Sequence, residues 1–436
     1  MKKYSKYKET GIDWAPIVPN SWSLASIRSL VVERKEKNFP EKTRELLALS
    51  YELGITLYRD KIYNLDRVKE NYEEYKIVHE GDLVLSPNDI IKGSVHISKY
   101  YGCISPMYLI FKNRDEGTIN LQFLSYFLRN AKAGRKFFSL AKGLIGSILD
   151  NGKYVTRRMT VSRNDILSFK VFLPPIEEQN RIVSYLDKKI TLIESCKYQK
   201  ERELQNLNEL KQVELASVVT RGLNPNVPMK DSGIFWQPLV PENWTVTKLK
   251  HILSKLDRPR QPEDELLVCS NSGEVKKRGE SKLGLVADSD EIYQGVRRGD
   301  LLIHGMDTWH GAIAVSDYDG MCTPVVHVCD STQNKRYVAL YLRNMANQKV
   351  FKLISNGVRQ NTSDFRSWGK VGTILIPIPP IEEQDAIVEY IESKNSKIDK
   401  MIEVLTAEIE RLSEYKQRLI SDVVTGQIDV RGEEIA

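Results

Sequence analysis

Two constellations in this chain of 436 residues carry residue types that could do chemistry. Asp264, followed ten positions later by Glu274-Val275-Lys276, loosely has the acidic-plus-lysine composition that holds Mg2+ in many nucleases. Cys322, His327 and Cys329 could begin a metal site. The second set has no evident fourth ligand, and Val325-Val326-His327-Val328 reads as a buried strand, which leaves plain core thiols as the expectation. Gly146 to Gly152-Lys153-Tyr154 has one residue too many between its glycines for a phosphate-cradling loop. Tyr also stands where the metal-binding hydroxyl belongs. No Gly-x-Gly occurs, and Asn224-Pro225-Asn226 is the nearest approach to the Asn-Pro-Pro-aromatic motif of a DNA-methylating centre.

The elements that would position these residues come in duplicate. Gly11-Ile12-Asp13-Trp14-Ala15-Pro16-Ile17-Val18-Pro19-Asn20-Ser21-Trp22 returns 222 residues later as Gly233-Ile234-Phe235-Trp236-Gln237-Pro238-Leu239-Val240-Pro241-Glu242-Asn243-Trp244. Pro174-Pro175-Ile176-Glu177-Glu178-Gln179 returns 205 residues later at Pro379–Gln384, and the same offset relates Val218-Val219-Thr220 to Val423-Val424-Thr425. Between these markers Glu45-Leu46-Leu47 matches Glu265-Leu266-Leu267, and Gly81-Asp82-Leu83 matches Gly299-Asp300-Leu301. In this frame Asp264 falls opposite Arg44 and Glu274-x-Lys276 has no counterpart, as expected of ordinary surface charges.

Each copy opens with an irregular part, about 7–172 and 229–377, where strand-like runs such as Asp82–Leu85, Leu301–Ile303 and Val325–Val328 mix with helical patterns such as Leu121–Leu128. A long charged helix follows, about 176–220 and 381–424. Pro-Pro before Ile-Glu-Glu-Gln is a helix start, with acidic side chains on the positive end of the dipole. Ile391, Lys394, Ile398, Met401, Leu405, Glu408, Leu412, Tyr415 and Leu419 follow a coiled-coil spacing, while Ile182, Leu186, Ile193, Leu204, Leu207 and Val218 form a less regular stripe. Glycine after Thr220-Arg221 and after Thr425 suits a C-terminal cap. Helices of ~45 residues would be ~67 Å long, and two apolar stripes are best hidden against each other. The expected architecture is α+β with a pseudo-twofold repeat. Two mixed α/β domains (1–173 and 223–378) are joined by two long antiparallel coiled-coil helices (174–222 and 379–426), with a tail at 427–436.

Composition sets looser bounds. Hydrophobic residues are 41% and charged residues 28%, an ordinary globular profile, and a net charge of +6 permits a polyanionic partner without demanding one. No apolar run approaches the ~20 residues of a membrane-spanning helix, and no apolar segment follows the basic start. Five cysteines without CxxC spacing read as reduced thiols, so a cytoplasmic location is expected.

The doubled, ordered motif set resembles the specificity subunit of a type I restriction–modification enzyme, and the resemblance covers nearly the entire chain. It implies two target recognition domains, each reading one half of a split, asymmetric duplex-DNA site. The helices would set the gap and dock two adenine methyltransferase subunits. Two restriction/translocase subunits would complete the assembly. S-adenosylmethionine, ATP and Mg2+ would be held by those partners, and this chain would have no catalytic activity and bind no cofactor or metal.

Duplex DNA needs cations for phosphate and forked or amide side chains for base edges. Three zones recur in both copies. The first follows the Glu-Leu-Leu strand: Ser50, Tyr51 and Arg59, against Ser270, Asn271, Lys277 and Arg278. The second follows Gly-Asp-Leu: Ser86, Asn88 and Lys92, against His304, Asp307, Trp309 and His310, with Trp309 favoured as core and Asp307 equally able to cap a turn. The third surrounds an Asn-Gly: Asn151, Lys153, Arg157, Arg158 and Arg163, against Asn356, Arg359, Gln360, Asn361 and Thr362. Two other readings stay open: a coiled-coil scaffold whose domains bind protein, and a stand-alone nuclease built on Asp264, Glu274 and Lys276.

Overall fold

The structure is a computed structural model that describes residues 2–51, 53–60, 71–143, 159–279, 292–355 and 365–433, with backbone alone at 147–148 and 154–155. The chain divides into two compact units, 1–200 with 407–436, and 201–406. The divisions fall inside the two long helices, so each unit holds one mixed α/β part together with a stretch of both helices.

In the first unit, short aliphatic runs between Gly, Asn and Asp turns form antiparallel ladders. The main sheet has the order Val31–Glu33, Leu109–Asn113, Leu83–Leu85, Val95–Ile97. Its side chains alternate between two buried faces. Leu83, Leu85 and Phe111 join a core built with the helix Leu121–Arg129 and its Phe123, Leu124 and Phe127. Val84 and Ile110 point the other way. There they meet the hairpin Leu47–Ser50 with Gly54–Leu57 and the pair Lys76–Val78 with Gly102–Ile104.

The second unit repeats the plan. Its sheet runs Leu253–Lys255, Val326–Ser331, Leu301–His304, Ile313–Val315. Leu301 and Ile303 face the helix Lys335–Asn347, and Leu302 and Val328 face the hairpin Leu267–Cys269 with Val275–Lys277.

The repeated motifs are joints. The aspartate of Gly-Asp-Leu is buried in both copies. Asp82 takes a forked pair of hydrogen bonds from Arg34 at 2.7 and 3.0 Å and one from the His79 amide at 2.8 Å. Asp300 takes Arg258 at 2.6 Å and the Arg297 amide at 2.7 Å. The glutamine of Ile-Glu-Glu-Gln ties each long helix to the helix of its mixed part. Gln179 accepts from the Asn120 amide at 2.9 Å and Gln384 from the Asn334 amide at 3.0 Å, and Asn120 and Asn334 are the N-caps of Leu121–Arg129 and Lys335–Asn347. Gly222 (φ 78°) and Gly426 (φ 70°) end the long helices. A Cβ at either would crowd its neighbours, Glu383 Oε1 at 2.6 Å and the Pro19 ring at 2.3 Å. In the first unit the tail is held to the chain's start by the Asp429 amide donating to the Lys2 carbonyl, and to the first long helix by Arg181 donating to the Glu433 carbonyl.

The long helices run Ile176–Arg221 and Ile381–Val424. Where the two share a unit they are antiparallel. Glu194 pairs with Lys416 and Lys200 with Glu408 in the first unit, and Lys211 with Asp399 and Glu214 with Tyr390 in the second. The seam keeps the expected 4-3 period but not the expected phase. Ile391, Ile398, Leu405 and Leu419 are buried, whereas Met401 and Tyr415 are 55% and 43% exposed. The alternate positions are instead Asn395, Ile402, Ile409 and Lys416, one residue later, all half-buried. Ile402 and Ile409 make the middle of this stripe apolar, with Asn395 and Lys416 at its polar positions. The first helix looked irregular because Lys200, Lys211 and Glu214 occupy its seam positions and meet polar partners there.

Candidate nucleic-acid interface

The first zone is spread along a hairpin in both units: Ser50, Tyr51, Ser270 and Asn271 lie at its tip, and Arg59, Lys277 and Arg278 at its open end. Ser50 and Tyr51 end one strand of the first hairpin, and Tyr51 is 46% exposed. Asn271 is exposed in the loop that joins Cys269 to Val275, where Ser270 Oγ accepts from the Glu274 amide and donates to its carbonyl. Arg59 pairs with Glu45 at 3.3 Å and Lys277 with Glu265 at 2.5 Å, so the glutamate that opens each Glu-Leu-Leu holds a cation near the returning strand. Arg278 is half-buried just beyond. These pairs are solvent-exposed and contribute about 0–1 kcal/mol each, so a phosphate could take either cation at little expense.

The second zone is one backbone turn built twice. A single 3-10 turn, Ile90–Lys92 or Thr308–His310, closes on a left-handed glycine, Gly93 (φ 87°) or Gly311 (φ 79°). The frames match while the side chains differ. Asn88 accepts from the Thr160 hydroxyl at 2.7 Å, and Lys92 is exposed without a carboxylate partner among the described residues. In the other copy, His304 Nδ1 accepts from the Asp307 amide at 3.1 Å, and burial pulls the His304 pKa down. His310 Nδ1 lies 3.9 Å from Asp307. Asp307 sits at the N-cap position of the turn, but its carboxylate makes no capping hydrogen bond and lies between the His304 and His310 rings instead. Trp309 packs against the core with Lys352 Nζ 5.6 Å over its ring, in keeping with core packing.

Lys153, Arg157, Arg158, Arg359, Gln360 and Asn361 of the third zone, with Asn151, Asn356 and Thr362, lie outside the described residues. Arg163 is described and donates to Glu33 at 2.6 Å. The edges of this zone meet the second zone. In the first unit the Val161 amide donates to the Pro87 carbonyl. In the second, Gly305 packs so close to Phe365 that a Cβ would sit 2.7 Å from its carbonyl oxygen, and His327 Nε2 donates to that oxygen. The first two zones also adjoin: His96 Nε2 reaches the Tyr51 carbonyl at 3.2 Å, and the Asn271 carbonyl lies beside Gly311. In each unit, then, the described part of the second zone touches the hairpin of the first zone and the described edge of the third.

Sequence reasoning did not single out His96, Arg129 or Arg343. The signal available was an arginine at the same place in both mixed-part helices, 129 and 343, following N-cap asparagines 120 and 334.

The rival constellations are not assembled. Asp264 is held by Arg297 at 3.0 and 3.2 Å, while Glu274 and Lys276 pair with each other at 2.7 Å. Cys269, Cys322 and Cys329 are buried, and burial pushes each thiol up to about 12. Among the described residues no group of three or more His, Cys, Asp or Glu could hold a metal ion, and no helix is long and apolar enough to cross a membrane.

No family model matches the chain. It is 24% identical over 432 residues to the type I restriction enzyme MjaVIII specificity subunit of Methanocaldococcus jannaschii, covering 95% of this chain and 94% of that one. It is 23% identical over 397 residues to the EcoBI specificity subunit of Escherichia coli, covering 81% and 82%. Among solved structures, a chain from a study of complex assembly in a type I R-M system matches at a TM-score of 0.67 and 14% identity, over 94% of this chain and 99% of that one. The HsdS subunit from Thermoanaerobacter tengcongensis matches at 0.51, also with 14% identity, over 94% and 98%. The sequence likeness runs nearly the length of the chain, so in sequence the chain is similar to the specificity subunits of type I restriction enzymes.

Proposed function

We propose that this chain reads duplex DNA without doing chemistry on it, each unit recognising one half of a split and asymmetric site. One observation carries the reading: the same scaffold, with the same buried Asp–Arg joint and the same glycine-closed turn, presents different exposed side chains in its two copies. Tyr51 and Lys92 stand exposed where the second copy has Asn271 and His310, and half-buried Asn88 stands where it has Met306. A shared frame gives a shared docking pose, and different side chains give different bases read. Among the described cations of the zones, Arg59, Lys277 and Arg163 each pair with a carboxylate, which suits reading at base edges over broad electrostatic capture.

The partners follow from the family. Methyl transfer and translocation belong to other subunits, which hold S-adenosylmethionine, ATP and Mg2+. Two equivalent sets of helix and joint support docking of two methyltransferase chains per specificity chain, with restriction/translocase chains completing the complex. Selection from a pool of random duplexes, with the methyltransferase partner present, tests the reading. A split motif with two dissimilar halves is expected. Binding without enrichment would leave the scaffold reading in its place.

A further inference from the structure

The two hairpin tips are each fastened to the body of their unit by one side chain, and the fastening differs between copies. In the second unit Arg343, on the helix Lys335–Asn347, donates from Nη2 to the Ser272 carbonyl at 2.6 Å. Gly273 lies directly against the guanidinium. A Cβ there would fall 2.1 Å from Arg343 Cζ, and the backbone has a φ of 79° that favours glycine in any case. Arg343 is half-buried and makes no ion pair among the described residues. It lines a cleft of about 460 Å³ together with Gly273, Glu274, Lys276 and Arg336. Inside the loop, Ser270 Oγ bonds to the Glu274 backbone, so the loop keeps its own shape and Arg343 fixes where that shape points.

In the first unit the equivalent helix residue is Arg129, whose guanidinium makes no hydrogen bond or ion pair among the described residues. The fastening comes from the sheet instead. His96, on the strand Val95–Ile97, reaches the Tyr51 carbonyl from Nε2 at 3.2 Å, and a Cβ at Gly54 (φ 74°) would lie 3.0 Å from His96 Nδ1. A carbonyl can only accept, so Nε2 carries the proton. The matching strand residue in the second unit is Ala314, which has no donor to offer.

We propose that Arg343 and His96 are positioning residues for recognition: each sets the pose of one hairpin tip and so decides which base edges that tip's side chains reach. This rests on the reading of the chain as a bipartite DNA reader. Base readout needs placement to within a fraction of an ångström, so a loosened tip should lose discrimination before it loses binding.

The experiment is selection from random duplexes by the full chain with its methyltransferase partner, comparing the parent with Arg343→Met, Arg343→Lys and His96→Leu. The Arg343→Met complex should relax one half of the motif, with at least a tenfold drop in its preference for matched over scrambled sequence, and leave the other half unchanged. His96→Leu should do the reverse, and Arg343→Lys should recover part of the loss. Equal weakening toward all sequences, with the salt slope reduced by about 1, would mark Arg343 as a phosphate contact and overturn the proposal. So would an unchanged motif, or loss of both halves together. Failure of the parent to select any split motif would overturn the underlying reading, and this inference with it.

Discussion

Lys416 on the second long helix meets Glu194 on the first at 2.5 Å, and the residues 205 positions from each, Lys211 and Asp399, meet at 2.7 Å. The same ion pair is thus made once in each unit, with the helices exchanging the roles of donor and acceptor. A duplicated sequence that packs its copies antiparallel must produce this exchange.

These pairs help choose the register and contribute little to stability. Asp399 is 57% exposed, so Lys211→Ala should lower stability by no more than about 1 kcal/mol. Ile398 is 6% exposed in the same seam, and Ile398→Ala should lower it by about 2–5 kcal/mol. Denaturant titration of both variants checks this. Equal effects would mean that the seam is held by charge.

The buried aspartates should be far more sensitive. Asp82→Ala leaves Arg34 without its forked acceptor and the His79 amide without a partner, a loss of about 3–5 kcal/mol in the first unit. Arg59→Ala, which removes an exposed pair, should fall below about 1 kcal/mol. Hydrogen exchange resolved by unit should show the Asp82→Ala effect in residues 2–143 and spare 210–279.

How much of this was legible in the sequence depended on the distance between partners. The starts of both long helices were visible because Pro-Pro and Glu-Glu act locally. Seam phase was not, because Met401 and Ile402 are both apolar and the choice between them is made by the facing helix. The role of Asp82 was hidden for a similar reason: its partner Arg34 is 48 residues away, and nothing near Gly81-Asp82-Leu83 announces it. The zones as loops could be read from the repeat, but the contacts that hold them, His96 to Tyr51 and Arg343 to Ser272, are non-local.

Acid should weaken the first unit through His96. Burial, with the neighbouring Arg129 charge, pulls its pKa down to about 4 from an ordinary 6.5, while the carbonyl of Tyr51 opposes the shift. A depressed histidine pKa means that the unfolded chain takes up the proton first. The contribution is therefore fully present above pH 6.5 and is lost as pH falls toward 4, with a ceiling of roughly 3 kcal/mol that partial exposure reduces. Melting temperature against pH should fall across this window, and His96→Leu should flatten part of the slope. An identical slope in the variant would contradict the assignment.

Thiol chemistry should single out one residue. Cys103, Cys269, Cys322 and Cys329 are buried, and burial raises their pKa to about 11 or 12, whereas Cys196 is half-buried on the first long helix. Alkylation of the native chain at pH 8 followed by peptide mass spectrometry should label Cys196 first. Early labelling of Cys322 or Cys329 would show that the second unit's core is open.

The most direct test of the central claim is a methylation map, made by single-molecule sequencing of DNA from cells that carry this chain with the methyltransferase proposed as its partner. Two units with one frame and different reading side chains predict modified adenines in two dissimilar half-motifs, one on each strand. The gap should be constant, with half-site centres about one helical turn, ~10 bp, apart. A single continuous palindrome, or modification without sequence preference, would contradict the account.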